Sequence, residues 1–359
     1  MRLGTALVFD LMRAGRIARG RIAKRPAGIL AAVGALAVTA ALLSGCGPTG
    51  TDSEVVQPQV LPVNPELATL PDIPVVADIA YGADPAQKLD ACLPPRDDQT
   101  PQNGGDPTDA PGTELQQPDA PARAAIVVVH GGSWTRGDKA DVAWRAVCQW
   151  LASAGYVTFS VDYRLAPRFV FPAAIDDVES AVRWLREPEQ ITRFRIDPAR
   201  IGAFGGSAGG NLVSQLGTRG SGDLTTGSRV AAVTDLSGPA DLTGLAATDD
   251  FIPVQLQYLG CATEDDCPAA IQASPFYDID SSDPPFFVGH SSAEKIPLAQ
   301  SEIFVAGLRA AGVSVDFVTV EGTLHSIAML DADLKQRIVR FFDETIGTPE
   351  APVVGDGAG

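Results

Sequence analysis

Ser207 lies in the run Gly205-Gly206-Ser207-Ala208-Gly209-Gly210, where a predicted strand gives way to a predicted helix. A serine at so tight a turn presents its hydroxyl at the C-terminal edge of a sheet. Glycines two positions to either side remove side chains that would collide with strand and helix. The helix starting at Ala208 aims its amide and its positive dipole end at charge developing beside the serine oxygen. The competing reading of such a run is a glycine-rich loop that binds phosphate. A serine hydroxyl attacks a carbonyl only with a base to take its proton, and histidine is the side chain that titrates near neutrality. The chain has three histidines, His130, His290 and His325.

A second run of small residues, His130-Gly131-Gly132-Ser133-Trp134, follows an Ile-Val-Val-Val segment, and its backbone amides can approach a substrate carbonyl oxygen. A third block reads Val161-Asp162-Tyr163-Arg164-Leu165-Ala166-Pro167, followed by Phe171-Pro172-Ala173-Ala174-Ile175-Asp176-Asp177. Together the three blocks resemble the α/β-hydrolase serine esterases, in particular the hormone-sensitive-lipase-like and acetyl- and feruloyl-esterase branch. The resemblance covers residues 75–345.

That resemblance implies Ser207 as nucleophile and an oxyanion hole made by the amides of Gly131, Gly132, Ser133 and Ala208. The branch usually has Gly where this chain has Ser133. The fold's chain order of serine, acid, histidine implies His325, in Gly322-Thr323-Leu324-His325, as the base. His130 is then structural, His290 matches a histidine that is often non-catalytic, and Asp162 and Arg164 brace the site. The acid is ambiguous. Counting from His290 gives Glu294, whereas counting back from Pro297 gives Ala293, because the loop is one residue short of the pattern. Asp283, Glu321 and a site without an acid remain alternatives to Glu294.

These groups need a scaffold, and the rest of the chain alternates between two periodicities. Strands are predicted over 75–81, 87–93, 123–130, 156–161, 200–205, 230–236, 285–289 and 313–320. Helices are predicted over 141–154, 172–186, 208–217, 297–311 and 331–344. The run at 123–130 is continuously apolar, as a parallel strand buried on both faces must be. In 172–186 the apolar Ile175, Val178, Val182 and Leu185 recur at helical spacing. Strand–helix alternation implies an α/β fold, a mainly parallel central sheet with helices on both faces. The segment 238–274 is long enough only for a small lid, which suggests an open site suited to short or bulky soluble acyl esters.

The domain is expected over 75–347, with a disordered loop insertion at 94–121, where Pro, Gly, Asp and Gln dominate and apolar residues are scarce. Residues 348–359 read as a flexible tail. At the other end, a basic stretch and an apolar run over 27–43 lead into Leu43-Ser44-Gly45-Cys46. This resembles a bacterial lipobox, so 1–45 reads as a lipoprotein signal peptide, Cys46 as the lipidated residue and 46–74 as an extended tether. A retained helical anchor is the alternative, and Met12 is an alternative start to Met1. Four cysteines remain. Their even number in an oxidising compartment suggests the pairs Cys261–Cys267 and Cys92–Cys148, with free buried thiols as the other reading. No cysteine spacing resembles a zinc site.

The formal net charge is −17, and 45% of the residues are apolar. Residues 1–45 carry seven basic side chains and one acidic, which leaves 20 basic and 43 acidic, a net −23, in the remainder. So acidic a body argues against nucleic acid as a partner. The expectation is an exported serine carboxylesterase without cofactor or metal, acting on short-chain, aryl or carbohydrate esters through an acyl-enzyme. It would be lipid-anchored at the outer face of the cell membrane or in the cell envelope. A prolyl-oligopeptidase-like peptidase and a non-catalytic surface protein of the same fold are the alternatives. Cys46→Ser should stop incorporation of labelled fatty acid and partitioning into detergent phase; a variant that stays equally membrane-bound would favour an uncleaved helix.

Overall fold

In this computed structural model the described residues are 67–95, 121–244 and 251–347. The expected signal peptide, Cys46 and most of the tether lie outside them, as do nearly all of the 94–121 insertion and the 348–359 tail. The described residues build an eight-stranded sheet: β1 (Val75–Ala80), β2 (Lys88–Cys92), β3 (Arg123–Val129), β4 (Val157–Val161), β5 (Ile196–Gly206), β6 (Ala232–Leu236), β7 (Phe286–Ser291) and β8 (Val315–Val320). Their order across the sheet is β1-β2-β4-β3-β5-β6-β7-β8. Only β2 runs antiparallel to its neighbours, and β4, β3 and β5 to β8 are parallel. The expected α/β-hydrolase architecture, a mainly parallel sheet covered on both faces, is therefore present.

The alternation along β3 shows how both faces fill. Ala125, Val127 and Val129 join one apolar cluster, and Ala124, Ile126 and Val128 join the other. This is the period of two expected of a pleated strand. On the first face pack α2 (Ala173–Leu185), α4 (Ala208–Arg219) and α7 (Ala299–Ala311), through Ile175, Leu212 and Phe304. On the second pack α1 (Val142–Ser153) and α8 (Ala332–Ile346), through Trp144, Val147, Phe341 and Phe342. The start of α8 is capped by Asp331, whose carboxylate accepts the Leu334 amide at 2.8 Å.

Several boundaries differ from the sequence reading. β5 begins at Ile196, within a stretch whose Asp-Pro reads as a turn, and α3 (Pro188–Phe194) is too short to carry a periodic signature. Val142 is exposed at the start of α1, and Trp144 faces inward instead. The tether also ends earlier than expected. Leu67 and Ile73 are buried. The side-chain amide of Gln149 on α1 accepts from the Leu70 amide at 2.9 Å and donates to the Leu70 carbonyl at 2.8 Å. An extended stretch with apolar side chains packs wherever a partner satisfies its backbone, and Gln149 does so for residues 67–74.

Cys92 is bonded to Cys148, joining β2 to α1, and Cys261 is bonded to Cys267. The first bridge closes a separation of 56 residues and the second one of six. Loop-closure entropy makes the first worth about 4 kcal/mol and the second about 2 kcal/mol. Urea unfolding of the paired Cys→Ala variants should return these losses in that order. An equal or reversed order would show that the unfolded chain is not what the long bridge restrains.

Candidate active site

Ser207 sits between β5 and α4 with φ 57° and ψ −124°, left-handed backbone that costs a non-glycine residue about 1–3 kcal/mol. Its amide donates to the Leu236 carbonyl at 2.8 Å, which ties the turn to β6. The flanking glycines are obligatory. A Cβ on Gly205 would lie 2.3 Å from the Gly209 carbonyl oxygen, and one on Gly209 would lie 2.1 Å from that of Val129.

The next two strands of the sheet and the last one end in the partner groups. Beyond β7 comes Glu294, and beyond β8 comes His325. The two loops are stitched together: the Ser292 amide donates to the Val320 carbonyl at 2.8 Å and the Ala293 amide to that of Gly322 at 2.9 Å. His325 Nδ1 is hydrogen-bonded to Glu294 Oε2. Glu294 Oε1 accepts from Ser237 Oγ, just beyond β6, at 2.5 Å and from the Ser291 amide at 3.3 Å, and the carboxylate is fully buried. Ser237 also accepts the Ser326 amide at 3.2 Å. A carboxylate accepts, so Nδ1 is the donor of this pair and Nε2 is the ring nitrogen left for another partner. Nε2 is buried without a hydrogen-bond partner among the described residues. It does not bond Ser207 Oγ, but His325 and Ser207 line one cavity.

The alternatives lie elsewhere. Asp283 accepts the Asp280 amide at 3.1 Å ahead of β7, at the opposite edge of the sheet, and Glu321 faces Ser292 Oγ at 3.5 Å. Ala293 carries no carboxylate. His290 has both nitrogens engaged, Nε2 donating to the Ile296 carbonyl at 2.9 Å and Nδ1 meeting Ser301 Oγ at 2.7 Å, and burial lowers its pKa. His130 is buried against Tyr163 with ring centroids 4.4 Å apart, and its Nδ1 donates to the Gly131 carbonyl at 2.8 Å. Burial lowers its pKa.

Gly131 crosses close to the nucleophile, for a Cβ there would stand 3.2 Å from Ser207 Cβ. The loop then turns through three left-handed residues, Gly132 at φ 124°, Ser133 at 55° and Trp134 at 58°. Ser133 thus occupies a conformation that glycine adopts freely, which accounts for the residue usual there in similar chains. The amides of Gly131, Gly132 and Ser133 donate to no backbone carbonyl among the described residues, and Ala208 is the first residue of α4, whose amide has no helical partner. Gly131, Gly132 and Ser133 line the same cavity as Ser207. The loop is buttressed from behind. Trp134 stacks on Tyr258 at 4.3 Å from α5 (Ile252–Leu259), in the segment expected as a small lid. Among the described residues, none that lines the cavity comes from that segment. Asp162 accepts the Lys139 amide at 2.7 Å, and Arg164 clamps the buried Asp177 at 2.7 Å, the bracing role expected of both.

The cavity holds about 280 Å³ and is walled by the oxyanion loop, Trp144, residues 325–328 and Leu67. A hollow of about 520 Å³ beside Arg219 and Asp278 carries neither nucleophile nor base. No group of three or more His, Cys, Asp or Glu side chains among the described residues could hold a metal ion. Ser237, Trp144 and Leu67 have no motif that would single them out, although Ser237 follows a strand end on the edge where Ser207 must lie.

A family model, BD-FAE, matches residues 115–308. Esterase LipC of Mycobacterium tuberculosis is 30% identical over 267 residues, 70% of this chain and 60% of that protein. Neutral cholesterol ester hydrolase 1 of Rattus norvegicus is 36% identical over 117 residues, 31% of this chain and 29% of that protein. The chain thus spans less than two thirds of the length of either curated relative. Among solved structures, a truncated carbohydrate esterase from gut microbiota superposes with a TM-score of 0.63 at 23% identity, over 77% of this chain and 98% of that one, a likeness of fold.

Behind the elbow, Asp235 is buried on β6 and accepts from Ser214 Oγ and the Gly238 amide, both at 2.8 Å. A Cβ at Gly210 would meet its Oδ1 at 2.2 Å, which explains the last glycine of the Ser207 run. Burial, reinforced by the Glu294 charge, raises its pKa to about 6. A carboxyl whose pKa rises on folding stabilises most below its unfolded pKa of about 4, and that contribution is lost as pH rises through 6. Asp235→Asn mimics the protonated form and does not titrate. From pH 4 to pH 7 the unfolding free energy of the native protein should fall relative to this variant by on the order of 2–3 kcal/mol. Parallel stability curves would contradict the raised pKa.

Proposed function

As the chain belongs to the BD-FAE family, we propose that it is a serine esterase that hydrolyses carboxylic esters through an acyl-enzyme, exported and held to the membrane by a lipid on Cys46. The observation that carries this reading is a single cavity bordered by Ser207, His325 and the oxyanion-loop glycines, with Glu294 on the far side of the imidazole. Small size argues for short acyl or compact aryl and sugar esters, in keeping with the name of the carbohydrate esterase of like fold. Export and anchoring rest on the Leu43-Ser44-Gly45-Cys46 run and the two disulfides.

In this mechanism Ser207 Oγ attacks the ester carbonyl as its proton passes to His325 Nε2. Glu294 keeps Nδ1 protonated and balances the imidazolium. The carbonyl oxygen becomes an oxyanion among the amides of Gly131, Gly132, Ser133 and Ala208, which are fixed before reaction by the left-handed turn. Collapse expels the alcohol, which takes the proton from Nε2. Water, deprotonated by the same nitrogen, then attacks the acyl-serine and releases the acid and Ser207.

A fluorophosphonate probe should label the native protein and not Ser207→Ala, which should also lose turnover of p-nitrophenyl acetate. Glu294→Gln keeps the shape but removes the charge, so kcat should fall by about 10³–10⁴ with KM little changed. Substantial turnover in pure Ser207→Ala would remove the nucleophile assignment. Native-like kcat in Glu294→Gln would remove the acid assignment alone.

A further inference from the structure

Two cations line the cavity, Arg136 and Lys295, with Asp141 the one carboxylate among the described residues of its wall. Neither cation has an ion pair among the described residues. Elsewhere Lys139, Arg145, Arg164 and Arg200 are each locked to a carboxylate within 3.0 Å. Both cations are tied to the reacting groups. The Arg136 amide donates to the Gly132 carbonyl at 3.1 Å, and a Cβ on Gly132 would lie 3.2 Å from Arg136 Cγ, so this side chain leaves directly from the oxyanion loop. Lys295 follows Glu294 in the chain, and Glu294 is anchored by Ser237.

Their placement runs against the charge of the molecule, whose formal net charge is −17. Both side chains reach solvent at the cavity mouth; desolvation of the Lys295 ammonium and then the nearby Arg136 charge lower its pKa, with Glu294 opposing. Two like charges at one cavity wall, set against the single carboxylate of Asp141, leave a net positive charge that an anion between them would balance. His325 cannot supply that anion, and the Glu294 carboxylate is already committed to His325 and Ser237.

We propose that the cavity takes esters bearing an anionic group, a carboxylate above all, which Arg136 and Lys295 hold while Ser207 attacks the ester carbonyl. This rests on the esterase reading above and names its substrate class. The acyl side and the alcohol side of the ester share this chemistry, and separate substrates tell them apart.

The test compares kcat/KM within two isosteric pairs. Ethyl hydrogen succinate against ethyl 4-methylpentanoate places the charge on the acyl side. 4-Acetoxybenzoate against 4-acetoxyacetophenone places it on the alcohol side. In one pair the anionic ester should be favoured by about tenfold or more at low salt, and the ratio should shrink as ionic strength rises to 0.5 M (on the order of a 4 Å screening length). In the Arg136→Gln/Lys295→Gln variant the ratio should fall towards one, and Lys295→Glu, which leaves Arg136 opposed by a carboxylate, should lower it as far. The ratio cancels any general loss from misfolding. Neutral esters turned over as fast as anionic ones in both pairs, or a ratio unmoved by the variants, would overturn the inference and leave the esterase reading standing. A native protein that is labelled at Ser207 by neither probe nor ester and turns over none of the four would overturn both.

Discussion

Backbone crowding at residues 205–210 sets the terms for everything around it. β5 and α4 approach until only hydrogen fits at Gly205, Gly209 and Gly210, against the Gly209 carbonyl, the Val129 carbonyl and the Asp235 carboxylate in turn. Such an approach forces Ser207 into left-handed backbone and leaves it no other place to go. Strain persists only where the surroundings over-determine it, and here β3, β6 and α4 do so together. The same crowding brings Gly131 against Ser207, so that the serine and the 131–133 loop share one wall of the cavity.

From that fixed point the polar groups spread along consecutive strand ends. Ser237 links Glu294 to Ser326, Glu294 holds His325, and Asp235 lies behind them under the turn. Ser237, Asp235 and the Glu294 carboxylate are buried, and the His325 ring is half-buried. A low-dielectric environment strengthens such a chain and also makes any gap in it expensive. Besides His325 Nδ1, Glu294 has two donors, Ser237 Oγ and the Ser291 amide, with His290 Nε2 also 3.3 Å away. A carboxylate so surrounded has little freedom to rotate, and the imidazole it holds inherits that order.

How much of this could be read from the sequence followed the range of the forces involved. Ser207 and the 130–134 loop were legible because left-handed backbone and close approach leave glycines at fixed local offsets. The parallel strands were legible because burial on both faces leaves unbroken apolar runs such as 124–129. Glu294 was only half legible, since the loop is one residue short and the count depends on which end is used; the pairing of Ser292 and Ala293 with β8 and its loop shows that the count from His290 places the carboxylate. Ser237, Asp235 and Leu67 act through contacts between segments far apart in sequence, and such contacts leave no local pattern. The short α3 and the first half of β5 were lost to Pro188 and Pro198, whose flanks read as turns.

Leu67 has a further consequence. It is buried in the cavity wall, eight residues ahead of the first strand, and the stretch behind it is held to α1 by Gln149. A chain that began at Val75 would retain all eight strands, both disulfides, Ser207, Glu294 and His325, and would nevertheless have a different cavity. The unit that folds and the unit that selects a substrate therefore have different N-terminal edges. A boundary drawn from the sheet alone would leave the substrate side of the site with one wall missing.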